Sequence, residues 1–227
     1  MSFIDDILSL FYPRLCAGCN KPLIAGEEQI CLDCLADMPF THFENIAENP
    51  IAKIFWGRAT VTHATAFCHF DKGGKLQHML HRLKYKGDKA IGHQLGSMFG
   101  YQLSLSPYFQ EIDMIIPVPL HPKKERARGY NQSVVFGEGV AEQMQKPLVN
   151  NNLIRDIHTE SQTRKGRFER WENVSGIFKV KDPEALQGKH LLLIDDVVTT
   201  GATLEACCQI LLEIPDVKVS IATLATA

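Results

Sequence analysis

Two adjacent carboxylates lie between an apolar run and a loop rich in threonine. Asp195 and Asp196 directly follow the apolar residues 191–194, where a strand is expected to end. Carboxylates accept hydrogen bonds from sugar hydroxyls and attract Mg²⁺, whereas hydroxyls and the amides at a helix start suit a phosphate. The residues that follow offer such groups: Val197, Val198, Thr199, Thr200, Gly201, Ala202 and Thr203. The pattern predicts a site for a phosphorylated sugar, the alternative being an ordinary strand whose acids cap the next helix.

Four cysteines near the start of the chain form a second cluster. Cys16, Cys19, Cys31 and Cys34 follow the pattern C-x2-C-x11-C-x2-C, in which each pair can give two thiolates to one tetrahedral zinc. The alternatives are two disulfides or four free thiols, and disulfides are disfavoured because the chain opens without a secretion-signal pattern. Four sulfur ligands leave no open position on the metal. The predicted Zn²⁺ is therefore structural and not catalytic.

Two segments concentrate positive charge in a chain whose formal net charge is −2. Residues 119–131 contain four cations against one acid, and residues 160–170 contain four more. Charge runs are often only solvated surface. Both segments, however, belong to the same predicted sheet as the acid pair, and pyrophosphate needs cationic donors. The overall charge argues against non-specific nucleic-acid binding through the whole field, but not against a local basic patch.

The elements that must position these residues alternate between strands and helices. Strands are predicted at 114–120, 148–155, 191–194 and 217–224, with a helix at 131–145. This order indicates an α/β fold, with a mostly parallel sheet flanked by helices. Upstream, residues 59–70 resemble a strand, and two helices follow, one at 76–83 and one that includes 91–103. Ligands bind beyond the carboxyl ends of such strands, where the acid pair and the first basic segment would both lie.

Three segments are predicted along the 227 residues. Residues 1–45 form a small zinc-ribbon module, 46–111 a connecting or hood region of strand and helices, and 112–227 the α/β core. No apolar run approaches the roughly 20 residues that span a bilayer, so membrane insertion is not expected. Without a secretion signal, the expected location is the cytoplasm.

Four features, taken in order, resemble the ComF family (ComFC and GntX-like proteins). They are the four-cysteine ribbon, LHRLKYKGD, PVPLHPKKERARGYNQS and LLLIDDVVTTGAT. The last is similar to the signature with which type I phosphoribosyltransferases bind phosphoribosyl pyrophosphate (PRPP). The resemblance covers nearly the whole chain. It implies a type I phosphoribosyltransferase-like core and an association with DNA uptake in competent bacteria.

The resemblance also implies roles for residues at matching positions. Asp195 and Asp196 would contact the ribose 2′ and 3′ hydroxyls of PRPP, and residues 199–203 would wrap its 5′-phosphate. The first basic segment would bind pyrophosphate, with these candidates: Lys123, Lys124, Arg126 and Arg128. The second would be a flexible loop that closes over the substrate, with these candidates: Arg164, Lys165 and Arg167.

The main hypothesis is a phosphoribosyltransferase that transfers a phosphoribosyl group from PRPP and releases pyrophosphate. Asp195 and Asp196 would be its catalytic residues, and Mg²⁺ would accompany PRPP. The alternative is a non-catalytic PRPP or nucleotide sensor, or an adaptor that binds single-stranded DNA alongside DNA-uptake proteins. His121 and His158 are candidate general bases by location only. No sequence pattern indicates the acceptor or an oligomeric state.

Overall fold

The computed structural model describes residues 13–155 and 177–227. Its strands are β1 (Ala64–His69), β2 (Met114–Pro117), β3 (Leu153–Arg155), β4 (Phe178–Val180), β5 (His190–Val198) and β6 (Lys218–Thr226). Four of them form one sheet in the order β1-β6-β5-β2, and every pairing in it is parallel. This arrangement confirms the predicted α/β fold class.

The helices lie on both faces of that sheet. They are α1 (Leu32–Ala36), α2 (Pro50–Ile54), α3 (Lys75–Tyr85), α4 (Lys89–Leu105), α5 (Pro122–Arg128), α6 (Gln132–Met144) and α7 (Ala202–Leu212), with short 3₁₀ turns at Phe43–Asn45 and Glu184–Leu186. No helix in the described ranges is both long and apolar enough to cross a bilayer.

Strand β5 shows why the sheet needs helices on both sides. Leu191 and Leu193 pack into one buried cluster, with residues of α2 and α7, while Leu192 and Ile194 pack into the other, with α3, α4 and α6. Successive side chains of a strand point to opposite faces, so a strand buried on both faces has a continuous apolar run. The apolar run before the acid pair is therefore explained by the burial of β5 on both faces.

Helices α4 and α6 approach each other at backbone distance on one face. A Cβ atom added at Gly96 would lie 2.0 Å from the carbonyl oxygen of Phe136, and one added at Gly139 would lie 2.2 Å from that of His93. Only glycine fits such a contact. The contact fixes α6, whose first turn lies against the acid pair.

Two sequence predictions of secondary structure are corrected. The strand expected at 148–155 is reduced to β3, which pairs antiparallel with β4 in a separate two-stranded sheet, while Leu148 makes only an isolated bridge to Ile115. The asparagines at 150–152 are poor strand formers, so the pairing breaks there.

The first basic segment contains a helix, α5, where a loop was expected. Pro122 occupies its first turn, the ring nitrogen Nδ1 of His121 accepts a hydrogen bond from the amide of Lys123 at 3.1 Å, and Gly129 ends it with φ +82°. These are ordinary start and stop signals of a helix. The division into segments 1–45, 46–111 and 112–227 stays a prediction, although β1, from the middle segment, lies in the central sheet.

Candidate functional site

Strand β5 carries the acid pair to the carboxyl edge of the sheet. Asp195 Oδ1 accepts hydrogen bonds from the Ser133 hydroxyl at 2.9 Å and from the Asp196 amide at 2.8 Å. Asp196 Oδ1 accepts from the amide of Val197 at 2.7 Å. Ser133 is held in the first turn of α6 by Asn131, whose side-chain oxygen accepts from the Ser133 amide at 3.0 Å. The neighbouring backbone and α6 thus orient both carboxylates.

A lysine from a helix that is distant in the sequence contacts the acid pair. The Lys84 ammonium, near the end of α3, forms an ion pair with Asp196 Oδ2, and both side chains are largely buried, with 24% and 12% of their surface exposed. Burial and the neighbouring Asp196 carboxylate raise the pKa of Asp195 to about 7, although Ser133 and Lys84 act in the opposite direction. The site therefore holds two carboxylates close enough to repel each other.

The loop after the acids packs closely against residues 54 and 55 and borders a small cavity. Gly201 has φ +75°, and a Cβ atom there would lie 2.7 Å from Ile54 Cγ2 and 3.2 Å from Phe55 Cε1. Asp195 and residues 197–204 line a cavity of about 70 Å³. Within the described parts of the chain, the amides of residues 199–204 donate to no protein acceptor. Amides without a protein acceptor at the start of a helix can donate to an anion such as phosphate.

Arg58 fastens this loop to the rest of the protein. Its guanidinium donates from Nη1 to the carbonyl oxygens of Thr200 at 2.7 Å and Ile54 at 3.1 Å, and from Nε to Glu205 Oε2 at 3.0 Å. Glu205 lies in the first turn of α7. One fork-shaped side chain therefore ties together the loop, α2 and α7.

A basic pocket of about 310 Å³ lies between the end of α3 and helix α5. Its lining residues are Lys84, Tyr85, Gly87, Lys124, Ala127 and Arg128. Three of these six carry positive charge and none is acidic. Arg128 stacks over the Tyr85 ring at 5.6 Å from its centroid, and Tyr85 is 70% exposed. The pocket can accept a polyanion, a planar group, or both.

The pocket separates the four pyrophosphate candidates into two pairs. Lys124 and Arg128 line it, whereas Lys123 and Arg126 are exposed and do not. The spacing of four residues places the first pair on one face of α5, and the other two point elsewhere. His121 caps α5. The remaining candidates lie outside the described residues: His158, Arg164, Lys165 and Arg167.

The four cysteines come together as a possible set of metal ligands. The sulfur atoms of Cys16, Cys19, Cys31 and Cys34 all lie within 4.8 Å of one another, and none is in a disulfide. Burial raises the pKa of Cys16, but amide hydrogen bonds from Cys31, Cys19 and Gly18 outweigh it and lower that pKa to about 6. Four thiolate donors at this spacing fit a tetrahedral Zn²⁺.

The cysteine cluster packs directly on α3. A Cβ atom at Gly18 would lie 2.7 Å from Met79 Cε, and Arg82 Nη1 donates to the carbonyl oxygen of Cys16 at 3.4 Å. Helix α3 also carries Lys84. The same helix therefore contacts both the cluster and the acid pair.

Three site residues were not predicted from the sequence: Lys84, Ser133 and Arg58. Lys84 and Ser133 lie in motifs that the family resemblance singled out, LHRLKYKGD and PVPLHPKKERARGYNQS, but no spacing rule links either to the acids. Arg58 lies outside every motif. A search for motif residues without an assigned role could have found the first two.

Comparisons with known proteins found a matching family model and similar sequences. Residues 130–227 match the family model of the phosphoribosyl transferase domain. The competence protein ComFC of Bacillus subtilis (strain 168) is 33% identical over 138 residues, which cover 61% of this chain and 54% of that protein, so the match spans about half of its length. The DNA utilization protein YhgH of Shigella flexneri is 27% identical over 218 residues, 89% of this chain and 92% of the relative.

A solved structure is also similar. Adenine phosphoribosyltransferase from Saccharomyces cerevisiae, complexed with an iminoaltritol bisphosphate and adenine, aligns with a TM-score of 0.39 and 14% identity, covering 61% of this chain and 69% of that one.

Proposed function

We propose that this chain binds PRPP and transfers the phosphoribosyl group with release of pyrophosphate, in keeping with its resemblance to the ComF family and its α/β fold. The observation that carries the proposal is the adjacency of three subsites at one sheet edge. The acid pair lies between the Thr/Gly loop and the basic pocket, and Lys84 belongs to both the pair and the pocket. These subsites match the three parts of PRPP in chemistry.

Each part of PRPP has a complementary set of groups. The loop amides of residues 199–204 and the hydroxyls of Thr199, Thr200 and Thr203 suit the 5′-phosphate. Ribose hydroxyls would donate to Asp195 and Asp196. Lys124 and Arg128 suit the pyrophosphate, since charge-assisted hydrogen bonds are the strong ones.

The bond that breaks joins C1′ of the ribose to an oxygen of pyrophosphate, which leaves with the electron pair. The acceptor then forms the new bond to C1′ with its own electron pair. Cations in the basic pocket would stabilise the charge that develops on the leaving group, and the 5′-phosphate would serve as a remote handle that positions the ribose. Asp195 and Asp196 would orient the ribose hydroxyls and stabilise positive charge at C1′.

The residues at the acid pair fit a magnesium ion. Carboxylate oxygens are ligands that Mg²⁺ prefers, and Asp195 has no cation within ion-pair distance among the described residues, whereas Asp196 holds Lys84. Asp195 together with pyrophosphate oxygens would hold the ion. Bound there, Mg²⁺ would supply charge neutralisation for the departing pyrophosphate.

The test is calorimetric titration with PRPP in the presence of Mg²⁺, with ribose 5-phosphate as the comparison ligand. We expect binding by the wild type and loss of PRPP binding in the Asp195→Asn/Asp196→Asn variant. Asp216→Asn is the matched control, because Asp216 is exposed in the turn just before β6, away from the carboxyl edge of the sheet. Equal binding of PRPP by the acid-pair variant would refute the site. Pyrophosphate release in a screen of acceptors then tests transfer.

The runner-up function is an adaptor for single-stranded DNA. Two observations favour it: exposed Tyr85 lies among the cations of the basic pocket, and the relatives are named competence and DNA utilization proteins. Aromatic stacking beside a positive groove is sufficient for such binding. Anisotropy with a labelled oligonucleotide separates the functions. The adaptor gains if DNA binding survives the acid-pair change but fails when the cations of α5 are neutralised.

The sensor hypothesis is a third outcome of the same experiments. PRPP binding that depends on Asp195 and Asp196, without pyrophosphate release in any acceptor screen, would favour it over transfer.

The cysteine cluster is proposed to hold one structural Zn²⁺ per chain. Elemental analysis of the purified protein measures that ratio directly.

A further inference from the structure

Lys84 belongs to two neighbouring subsites at once. Its ammonium forms the ion pair with Asp196, and its side chain also lines the basic pocket beside Lys124 and Arg128. Among the described residues, neither of the other two cations lies within ion-pair distance of a carboxylate. Arg128 instead donates to the side chain of Gln132 and stacks on Tyr85. Among the described residues of the pocket, Lys84 is therefore the cation that already pairs with a carboxylate.

The backbone that carries Lys84 is fixed, while its side chain is long. Arg82 binds Asp88 Oδ2 from Nε at 3.1 Å and from Nη2 at 2.6 Å, which closes the turn between α3 and α4. The hydroxyl of Tyr130 donates to the carbonyl oxygen of Leu83. A lysine side chain is a flexible stem of four carbons, so its ammonium can change partners without any movement of the helix.

The ion pair also competes with the ribose. Asp196 Oδ1 is occupied by the amide of Val197, and Lys84 occupies Oδ2. A ribose hydroxyl that donates to Asp196 must therefore share or displace the ammonium. Pyrophosphate carries more negative charge than one carboxylate and presents several acceptor oxygens, so it attracts the ammonium more strongly.

We infer that Lys84 couples the two subsites by exchanging partners: it holds Asp196 in the free protein and turns to the pyrophosphate group when that group enters the basic pocket. The exchange frees Asp196 Oδ2 for the ribose. This inference rests on the proposed function, because it assumes that ribose and pyrophosphate groups occupy these subsites. Each ligand then favours the other by the same factor, as linkage requires.

The coupling can be measured with two separate ligands. Ribose 5-phosphate and inorganic pyrophosphate are titrated calorimetrically in Mg²⁺ buffer, each alone and each with the other at saturation. For the wild type we expect pyrophosphate to tighten ribose 5-phosphate about tenfold, and the reverse enhancement to be equal, within the usual range of coupling between sites. In Lys84→Gln both ratios fall to about one, and pyrophosphate binds more weakly.

Three variants separate coupling from simple charge loss. Lys124→Gln removes a pocket cation that has no carboxylate partner, so pyrophosphate weakens while the coupling ratio stays near the wild-type value. Lys86→Gln removes an exposed charge from the same turn and changes neither quantity. Lys84→Arg keeps the charge and retains part of the coupling. Thermal melting of each variant checks that it is folded.

The outcomes distinguish this inference from the proposed function. A wild type that binds PRPP but shows a ratio of one leaves the function standing and overturns the coupling. A Lys84→Gln variant with the full wild-type ratio also overturns it. A wild type that binds neither PRPP nor the two separate ligands refutes both proposals.

Discussion

The cysteine cluster and the acid-pair site are built in opposite ways. The four cysteines lie between residues 16 and 34, and the short range of chain between them is enough to bring their sulfur atoms together. The acid-pair site draws Lys84 from α3, Ser133 from α6 and Arg58 from the segment before β1. A site that is local in the chain can be read from spacing, whereas an assembled site depends on the whole fold.

The difference also concerns where the stability comes from. In the cysteine cluster, the proposed Zn²⁺ would cross-link a segment that is too short to form a core of its own. The acid-pair site has the reverse balance, since the fold must hold two carboxylates close together at a cost. The cysteine cluster is thus expected to add to the free energy of unfolding and the acid pair to lower it. The changes below measure the two contributions separately.

The largest expected effect is metal removal. Structural zinc contributes apparent binding free energies of about 10–16 kcal/mol in small zinc modules, so a chelator should unfold residues 16–34 locally. Hydrogen exchange with and without chelator measures this. Protection in 16–34 should collapse, with a smaller loss in α3, on which the cluster packs. Unchanged protection in metal-free protein would mean that the cluster folds without metal.

The second effect is Gly201→Ala. The added Cβ would meet Ile54 at 2.7 Å in a backbone with φ +75°, so we expect a loss of about 2–4 kcal/mol in unfolding free energy and at least tenfold weaker binding of PRPP. Gly188→Ala is the matched control, because Gly188 has φ +69° and nothing within 4 Å of its added Cβ. That control should cost about 1 kcal/mol and leave PRPP binding intact. Denaturant titration and calorimetry give the two numbers.

The third effect has the opposite sign. Asp195→Asn should raise the unfolding free energy by about 1–2 kcal/mol near pH 8 while PRPP binding is lost, because it removes a carboxylate that burial and Asp196 disfavour. The pKa of Asp195 is about 7 in the folded chain against 3.8 as the ordinary value, so the folded state binds more protons between these limits. Wild-type stability due to this group therefore falls as pH rises from about 4 to 7.

The pH dependence makes the Asp195→Asn test specific. The advantage of the variant should be full above pH 7 and should vanish toward pH 4, in denaturant titrations of both proteins at matched pH. Burial lowers the pKa of His190 and His63, whose effects on stability have the opposite pH dependence and cancel in the difference between variant and wild type. An advantage that is constant across the pH range would reject the electrostatic cause.

The smallest effect is Arg58→Lys. A lysine keeps the charge but cannot reach Thr200, Ile54 and Glu205 together, so we expect PRPP to bind a few-fold more weakly and stability to fall by less than about 1 kcal/mol. Arg14→Lys, at an exposed arginine of the cysteine module, should change neither. Should the two variants bind PRPP equally well, the loop does not depend on the guanidinium.

How far the sequence predicts this molecule follows the same contrast. The cysteine set, the acid pair and the Thr/Gly loop are each local patterns in the chain. The structure brings the four sulfur atoms together and places Asp195 and the loop around one cavity, while their roles stay predictions. The alternation of strands and helices also predicted the sheet. Lys84 was out of reach because more than 100 residues separate it from Asp196 and only the packing of α3 brings them together.

The errors in secondary structure have local causes. The prediction of a loop at α5 rested on its run of charges, whereas Pro122 at its start and Gly129 at its end are helix signals. The consequence was functional, since a helix sorts its four cations by face and only Lys124 and Arg128 reach the pocket. The predicted strand at 148–155 was too long because its apolar ends concealed the polar asparagines between them.

The order of strands in the sheet determines how long β1 remains without its partner during synthesis. Strand β1 has β6 as its sheet partner, and β6 follows it roughly 150 residues later in the chain. At ribosomal speeds of about 5–20 residues per second, β1 waits on the order of 10–30 s for that partner. Five of its six residues are buried in the finished sheet, so during this interval an unpaired apolar edge is exposed to other nascent chains. Expression yield should therefore respond to translation speed and to chaperones that shield such edges.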